Sequence, residues 1–515
     1  MSPFFSMLTP LNINKNIAIS QLSNLNLIVS TPLQTMVIEQ PQMQAIILQL
    51  LETPLDMMQL IDKLADKYPQ MELMRTLNTL KHYQIINAAQ QPPAFELHNH
   101  FSAMAAHNAS DMPFKFIDFE QNSLVAHFES NGHGPAAAGF PVMLVNDILD
   151  QRLDAFQQTQ FSAEQPFIVA QVTGTELLIS PVIDPCKSPC WACMAYRLKL
   201  HRPMQALLQS AKQIQTAQAD FCAQAVNVIR KVLSAQIEPL HRSDDSSNQS
   251  SDEQSHDLVK LNLTNGETSH HRVSRRPQCP CCGDPDQKVD YHKLSLLADN
   301  STVANDAGGY RTVSAKLTYQ KYQHLVDPLT GIMASVDEYR KVPGAPIYNY
   351  CSGRNIALQS RSLFWLNNHM RSSSGGKGAN EQQAKTGALC ESVERYSMVY
   401  HGQEACTTAS YSELASKAIH PNTCMNFSHK QITERESINK HSSAFHTLVP
   451  IDFDENAQLD WTGTYSLIDQ QIRYLPSAFC FAQYPAADEN QLLAYPDSNG
   501  CAAGNNPAEA ILQGT

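Results

Sequence analysis

Short alternation comes first along the chain. In the segment NLNLIVS, Leu25, Leu27 and Val29 recur at every second residue and Met36 to Ile38 form another apolar run, so Leu11 to Glu39 reads as three short strands. The period then lengthens. Pro41 suits a first helical turn, and Met43, Ile46, Ile47, Leu50 and Leu51 follow at helical spacing. A second helix is predicted from Leu55 to Tyr68 through Met57, Leu60, Ile61 and Leu64, and a third from Met71 to Tyr83 through Leu73, Met74, Leu77 and Leu80. Gln84 to Ala88 can return as a strand. Most of these apolar and methionine positions read as core.

Strands leading into three short helices and a return strand make a winged-helix-like module over residues 1–92. Its helices carry no Arg/Lys cluster for phosphates, which argues against DNA reading. Gln90 to Pro93 reads as a linker. Beyond it the pattern predicts strands at Leu124–Phe128, Pro141–Asn146, Pro166–Val172 and Glu176–Ser180, hence an α/β layer over residues 93–304. Met204 to Ala235 reads as a long helical run, and Ser243 to Asp257 (SDDSSNQSSDEQSHD) as a disordered surface loop. A short strand, Leu258–Leu263, follows. Gly132-His133-Gly134 with Gly139 is a loop, because a dinucleotide turn needs a helix directly behind its glycines and Pro135 to Gly139 leads into a strand. A third domain, 305–515, opens with Tyr319 to Val336, where Pro328 and Gly331 turn a helix into a strand. The fold class expected is a multidomain chain of mixed α+β and α/β type.

Charge and length narrow the class. The 515 residues allow about two to four domains, and 43% apolar residues suffice for a core in each. A net charge of −12 disfavours a nucleic-acid partner. There is no export signal and no apolar run of about 18 residues, so neither export nor a membrane span is expected. Thirteen cysteines in so long a chain, some in paired CxxC spacing, suit a reducing compartment, and cytoplasm is the expected location.

Cys190-Trp191-Ala192-Cys193 and Cys279-Pro280-Cys281-Cys282-Gly283 are two knuckles that can bring Cys190, Cys193, Cys279 and Cys282 around a structural Zn²⁺. Four sulfurs close the metal, leaving no position for catalytic water. Cys186 and Cys281 are extra thiols that can substitute as ligands. A nucleic-acid-binding ribbon would have only Lys199, Arg202, Arg275 and Arg276 to draw on.

The densest chemistry lies in Ser373 to Ser397, SSGGKGANEQQAKTGALCESVERYS. Gly375, Gly376 and Gly378 are expected to form a turn that exposes amide N–H groups, Lys377 adds a cation, and a helix N-terminus points at the same place. Along that helix Gln383, Gly387, Glu391 and Glu394 share one face, where two carboxylates can hold Mg²⁺ against phosphate oxygens. The other reading is a solvated, salt-bridged helix face. A Walker A loop is absent. In Asp497 to Gly514, DSNGCAAGNNPAEAILQG, Asn506 can cap a helix with Pro507 in its first turn, and Glu509 can serve that cap or a ligand site.

The first of these runs resembles the first nucleotide-binding motif of the YcaO family, and Asp497 to Gly514 resembles the second. HPNTCMNF at 420–427, Leu448–Asp452 and Trp461–Leu475 continue the likeness, while the CWxC and Cys-Pro-x-Cys-Gly-Asp-Pro elements resemble a degenerate ThiF-like domain fused ahead of YcaO. The resemblance is to cyclodehydratases that make azoline heterocycles in ribosomal peptides. It implies ATP and Mg²⁺ held by Lys377, Gln383, Glu391, Glu394 and Arg395, with Asn499, Asn505 and Glu509 from the second motif. It also implies a winged-helix clamp that adds the leader of a precursor peptide as a strand, beside Thr35–Gln40 and the third helix, and a homodimer. Family members continue past the point where this sequence ends, so the alternative expectation is a leader-binding module without catalysis. Adenylation by the middle domain would release pyrophosphate instead of phosphate.

Overall fold

A computed structural model describes residues 10–14, 17–22, 26–30, 35–88, 99–101, 114–119, 125–126, 139–172, 176–185, 187–204, 208, 211–215, 223–241, 256–284, 311–339, 344, 346–358, 362–485, 493–495 and 497–515. The linker at Gln90–Pro93, the loop at Gly132–Gly134, Cys186 and nearly all of Ser243–Asp257 lie outside them. Two compact units result: Met1–Trp191 with Met204–Val273, and Ala192–Pro203 with Ser274–Thr515.

The first unit begins with β1 (Leu11–Ile13), β2 (Ala18–Gln21), β3 (Leu27–Ser30) and β4 (Thr35–Ile38), then α1 (Pro41–Glu52), α2 (Met57–Leu64), α3 (Gln70–His82) and β5 (Ile86–Ala88). Four strands thus stand where three were expected. β1 leaves the others and pairs antiparallel with β5. Ile46 and Ile47 of α1, Leu73 and Leu77 of α3, and Ile19 and Val29 of the sheet share one core. Their spacing gives each helix an apolar stripe and each strand an apolar face.

A larger sheet follows, built from β6 (Phe114–Asp118), β7 (Phe140–Val145), β8 (Ile168–Gln171), β9 (Glu176–Ile179), β11 (Asp257–Asn262) and β12 (Thr268–Arg272), in the order β12-β11-β9-β8-β7-β6. β6, β7 and β8 run parallel and the remainder antiparallel. The helix α4 (Arg152–Ser162) connects β7 to β8, and α6 (Ala223–His241) packs Val226, Ile229 and Leu233 onto the sheet with Val142, Leu144 and Ile168. Two sequence expectations fail here. Of Leu124–Phe128, read as a strand, the described residues Val125 and Ala126 are helical, and the edge strand is instead β6. Met204–Ala235 is not one helix: Lys212–Gln215 forms β10, antiparallel to β2, and the helix runs from Ala223 to His241. KQIQ is short and ambiguous in period, and the open edge of β2 decided it. The small sheet therefore reads β10-β2-β3-β4, with β4 an edge.

In the second unit α5 (Trp191–Leu200) contributes its stretch from Ala192, followed by α7 (Ala315–Tyr322), β13 (Asp337–Glu338), β14 (Tyr348–Arg354), β15 (Ser373–Gly378), α8 (Glu381–Ser397), β16 (Thr407–Ala409), β17 (Leu459–Ser466), β18 (Gln471–Pro476) and α9 (Pro507–Gly514). Two antiparallel sheets, β13-β14-β15 and β16-β17-β18, carry this unit. Leu389 and Tyr396 of α8 pack with Ile332, Met333 and Ile356, joined by Tyr196 and Leu200 of α5.

Candidate functional site

The Gly-Gly-Lys-Gly run is a strand, not the turn its composition predicted. Gly375, Gly376, Lys377 and Gly378 face Cys351, Tyr350, Asn349 and Tyr348 of β14 in antiparallel register. Its glycines serve close approach and not an anion nest: a Cβ on Gly376 would stand 2.2 Å from the carbonyl oxygen of Ala384 and 2.2 Å from the nitrogen of Ala388, so strand and helix touch backbone to backbone. The turn is Ala379-Asn380. Asn380 caps α8, its Oδ1 accepting from the Gln383 N–H at 2.9 Å, and Gln383 Oε1 accepts from the Ala379 N–H at 2.9 Å. Both bonds fix the angle at which α8 leaves the strand.

That geometry puts Lys377, at the end of the strand, over the face of α8 that bears the two glutamates. A cavity of about 520 Å³ opens there. It is lined by Lys377, Gln383, Glu391, Glu394 and Arg395 on one side and by Asn505 and Glu509 from the C-terminal segment on the other. Asn499 does not line it; that residue is exposed, and its neighbour Ser498 lines the wall instead. Arg311, Thr318, Cys390 and Gln513 also line it and were not found from the sequence. Arg311 is separated from Lys377 by more than sixty residues of chain, so no local motif could have marked it.

Charge within the cavity is uneven. Arg395 bridges the two carboxylates, with Nη2 donating to Glu391 Oε1 at 3.2 Å and Nη1 to Glu394 Oε1 at 2.7 Å. The remaining oxygen of Glu391 accepts from the Gly375 N–H at 3.1 Å. Burial pushes the Glu394 carboxyl above the ordinary glutamate range; Glu391 adds to the push, and Arg395 and a backbone bond from Ala503 oppose it. Lys377 and Arg311 face this acidic wall, and neither side chain forms an ion pair among the described residues. Burial also lifts the Cys390 thiol to about 11, so it stays protonated at neutral pH.

Glu509 is differently held. Although it is only 8% exposed, and burial alone would raise its carboxyl, hydrogen bonds from Thr312 and Asn505 keep it below the usual range. Oε1 accepts from the Thr312 N–H at 2.6 Å and hydroxyl at 2.7 Å, and Oε2 from the Asn505 N–H at 3.0 Å and Nδ2 at 3.1 Å. Asn505 Oδ1 in turn accepts from the Thr318 hydroxyl at 2.9 Å. The start of α9 is thereby tied to the segment that leads into α7. Asn506 caps α9 as the sequence predicts, accepting from the Glu509 N–H at 2.9 Å.

The cysteine knuckles also come together. Ligand atoms of Cys190, Cys193, Cys279 and Cys282 all lie within 4.8 Å of one another, and all four residues are buried. A tetrahedron of Zn–S bonds of about 2.3 Å needs sulfurs roughly 3.8 Å apart, so the donor set fits Zn²⁺. Cys281 is half-buried and not in this group. A Cβ on Gly283 would collide with the Pro277 carbonyl at 2.2 Å, which is why the second knuckle ends in glycine.

Residues 375–515 match the family model described as YcaO cyclodehydratase, ATP- and Mg²⁺-binding. No curated protein matches the chain. Among solved structures, the chain is similar to a heterocyclase in complex with substrate and cofactor, at 25% identity and a TM-score of 0.66, over 98% of this chain and 69% of that one. It is also similar to the heterocyclase TruD, at 23% identity and a TM-score of 0.55, over 98% of this chain and 68% of that one, a likeness of fold. No helix among the described residues is long and apolar enough to cross a membrane. The cavity-bearing segment thus matches the YcaO cyclodehydratase family model, and nearly the whole chain is similar in fold to a heterocyclase.

Proposed function

We propose that this chain is an ATP-dependent peptide cyclodehydratase that converts Cys, or Ser and Thr, of a ribosomal precursor peptide into azoline rings, with the cavity between β15, α8 and α9 as its nucleotide site. The observation that carries the reading is the shared cavity: two cations without ion-pair partners among the described residues, Lys377 and Arg311, oppose Glu391 and Glu394 across a space of about 520 Å³. Phosphate oxygens suit the cations. Glu391 and Glu394, one helical turn apart, suit Mg²⁺, whose charge would offset the burial and, second to it, the Glu391 repulsion that raise Glu394. Gln383, Arg395, Asn505 and Glu509 then hold the walls in register, and Asn499, outside the cavity, drops from the set.

In this reading the side chain of the precursor attacks the preceding amide carbonyl and closes the ring, the oxygen so formed takes the γ-phosphoryl group of ATP, and expulsion of phosphate with loss of the amide nitrogen's proton leaves the C=N bond of the azoline. The chain's own part is to orient the triphosphate and neutralise its charge. The precursor's leader docks as an added strand on β4, whose outer edge has no partner strand among the described residues. Residues 1–92 act as the clamp, 93–304 as the zinc-stapled ThiF-like body and 305–515 as the YcaO domain, in a homodimer of the reducing cytoplasm. Incubation with ATP, Mg²⁺ and a Cys-containing precursor tests the reading. The expected result is loss of one water mass per ring with release of phosphate. Leader binding without any mass change would make the chain a binding module, and pyrophosphate release would move the chemistry to adenylation.

A further inference from the structure

Two arginines of the second unit are buried, and neither forms an ion pair with a carboxylate among the described residues. Arg197 is 6% exposed and Arg276 is 4% exposed. Nε and Nη1 of Arg197 and Nε of Arg276 have no hydrogen-bond partner among the described residues. The Arg276 guanidinium lies over the Tyr196 ring, 3.4 Å from its centroid, and that of Arg197 over the Tyr396 ring at 4.7 Å. Arg276 Nη2 lies 3.4 Å from His401 Nδ1. Each positive charge also repels the other. Stacking on aromatic rings offsets only part of the cost of removing a guanidinium from water, and two like charges side by side add to it. Such a pair needs a nearby anion.

The anions at hand are the Glu404 carboxylate, which acts on Tyr196 and His401, and sulfur. Arg197 lies one helical turn beyond Cys193 on α5 and interacts electrostatically with it. The backbone N–H of Arg276 donates to Cys193 Sγ at 3.3 Å, and Arg275 Nε donates to the Cys282 carbonyl at 2.5 Å. Four thiolates around one divalent cation carry two net negative charges, matching two guanidiniums. We propose that Arg197 and Arg276 are the built-in counter-ions of a metal-loaded four-cysteine cluster, holding the divalent ion in while the loaded cluster keeps the arginines buried. They are positioning residues for the metal centre. The proposal is independent of the ATP reading, which concerns a different part of this unit.

The test uses the full-length chain purified with its metal. Zinc content is measured by plasma emission, and transfer of Zn²⁺ to a chromophoric chelator is timed. R197M/R276M is expected to lose zinc at least about tenfold faster than the parent, as loss of a supporting partner does at metal centres, whereas R197K/R276K, which keeps the charge, stays near the parent rate. Parent-like retention in the methionine variant would overturn the proposal. So would a parent that contains no metal, and in that case cyclodehydration can still be intact. A second measurement needs no variant: phenylglyoxal labelling, mapped by peptide mass, should spare both arginines in the zinc form and modify them after chelation under reducing conditions. Continued protection in the metal-free chain means that the rings, not the cluster, hold them.

Discussion

Glu394 and Glu509 line the same cavity with opposite electrostatic fates, and the difference lies in hydrogen bonds more than in burial. Glu394 has a raised carboxyl pKa, so below that pKa the proton occupies the oxygens Mg²⁺ would need. The Mg²⁺ concentration for half-maximal ATP turnover should therefore fall as pH rises from the ordinary glutamate value of about 4.3 through the raised one, then level off. A flat profile would count against Glu394 as a ligand. E391Q and E394Q should each weaken Mg²⁺-dependent turnover by about 10- to 100-fold or more, read as a shift in the Mg²⁺ titration with the fold unchanged by circular dichroism. Glu509 has the depressed pKa, so its contribution to stability is present above the unfolded value of about 4.3 and is lost as pH falls through the lower, folded value. Acid titration of unfolding should show that loss in the parent and not in E509Q, which starts less stable. Lys377 and Glu391 were named in the sequence, with the roles that the family resemblance implies. Arg311 was not, because it reaches the cavity only through the tertiary fold.

At the scale of elements, the contact between β15 and α8 decides where Lys377 goes. Gly376→Ala would force apart two backbones that meet at 2.2 Å from the added methyl, and should cost at least about 1–3 kcal/mol. Urea unfolding reads this directly; a stability equal to the parent's would mean the strand can retreat without loss. The cap of α9 is a milder case: Asn506→Ala removes the acceptor of the Glu509 N–H and should cost about 1 kcal/mol. Because the same segment holds Asn505, ATP affinity measured by calorimetry should fall with it. Helices with clear apolar stripes, such as α1 and α3, were readable within a residue or two. The glycine-rich strand was misread as a turn because glycine signals freedom, whereas here it signals crowding. The strand Lys212–Gln215 was missed because four residues of mixed polarity carry no period, and an open strand edge supplied the order.

Across the whole molecule, the expected functional result is ring formation that requires both ATP and an intact leader segment, and cutting the leader from the precursor should raise the peptide KM far more than it lowers kcat. What the amino-acid order determined by itself was local: helical and strand periods, the two cysteine knuckles, the cap at Asn506, and the one-turn spacing of Glu391 and Glu394. Those depend on neighbours a few residues apart, where backbone geometry leaves few choices. Only the tertiary structure decided that β10 pairs with β2, that Gly376 lies against a helix, that Arg311 and Ser498 line the cavity while Asn499 does not, and that two arginines are buried beside Cys193. The pairing of β10 with β2 and the placing of Arg311 and Arg276 join segments far apart in the chain, and which segments meet is set by the packing of buried surfaces, a property no short window of sequence contains.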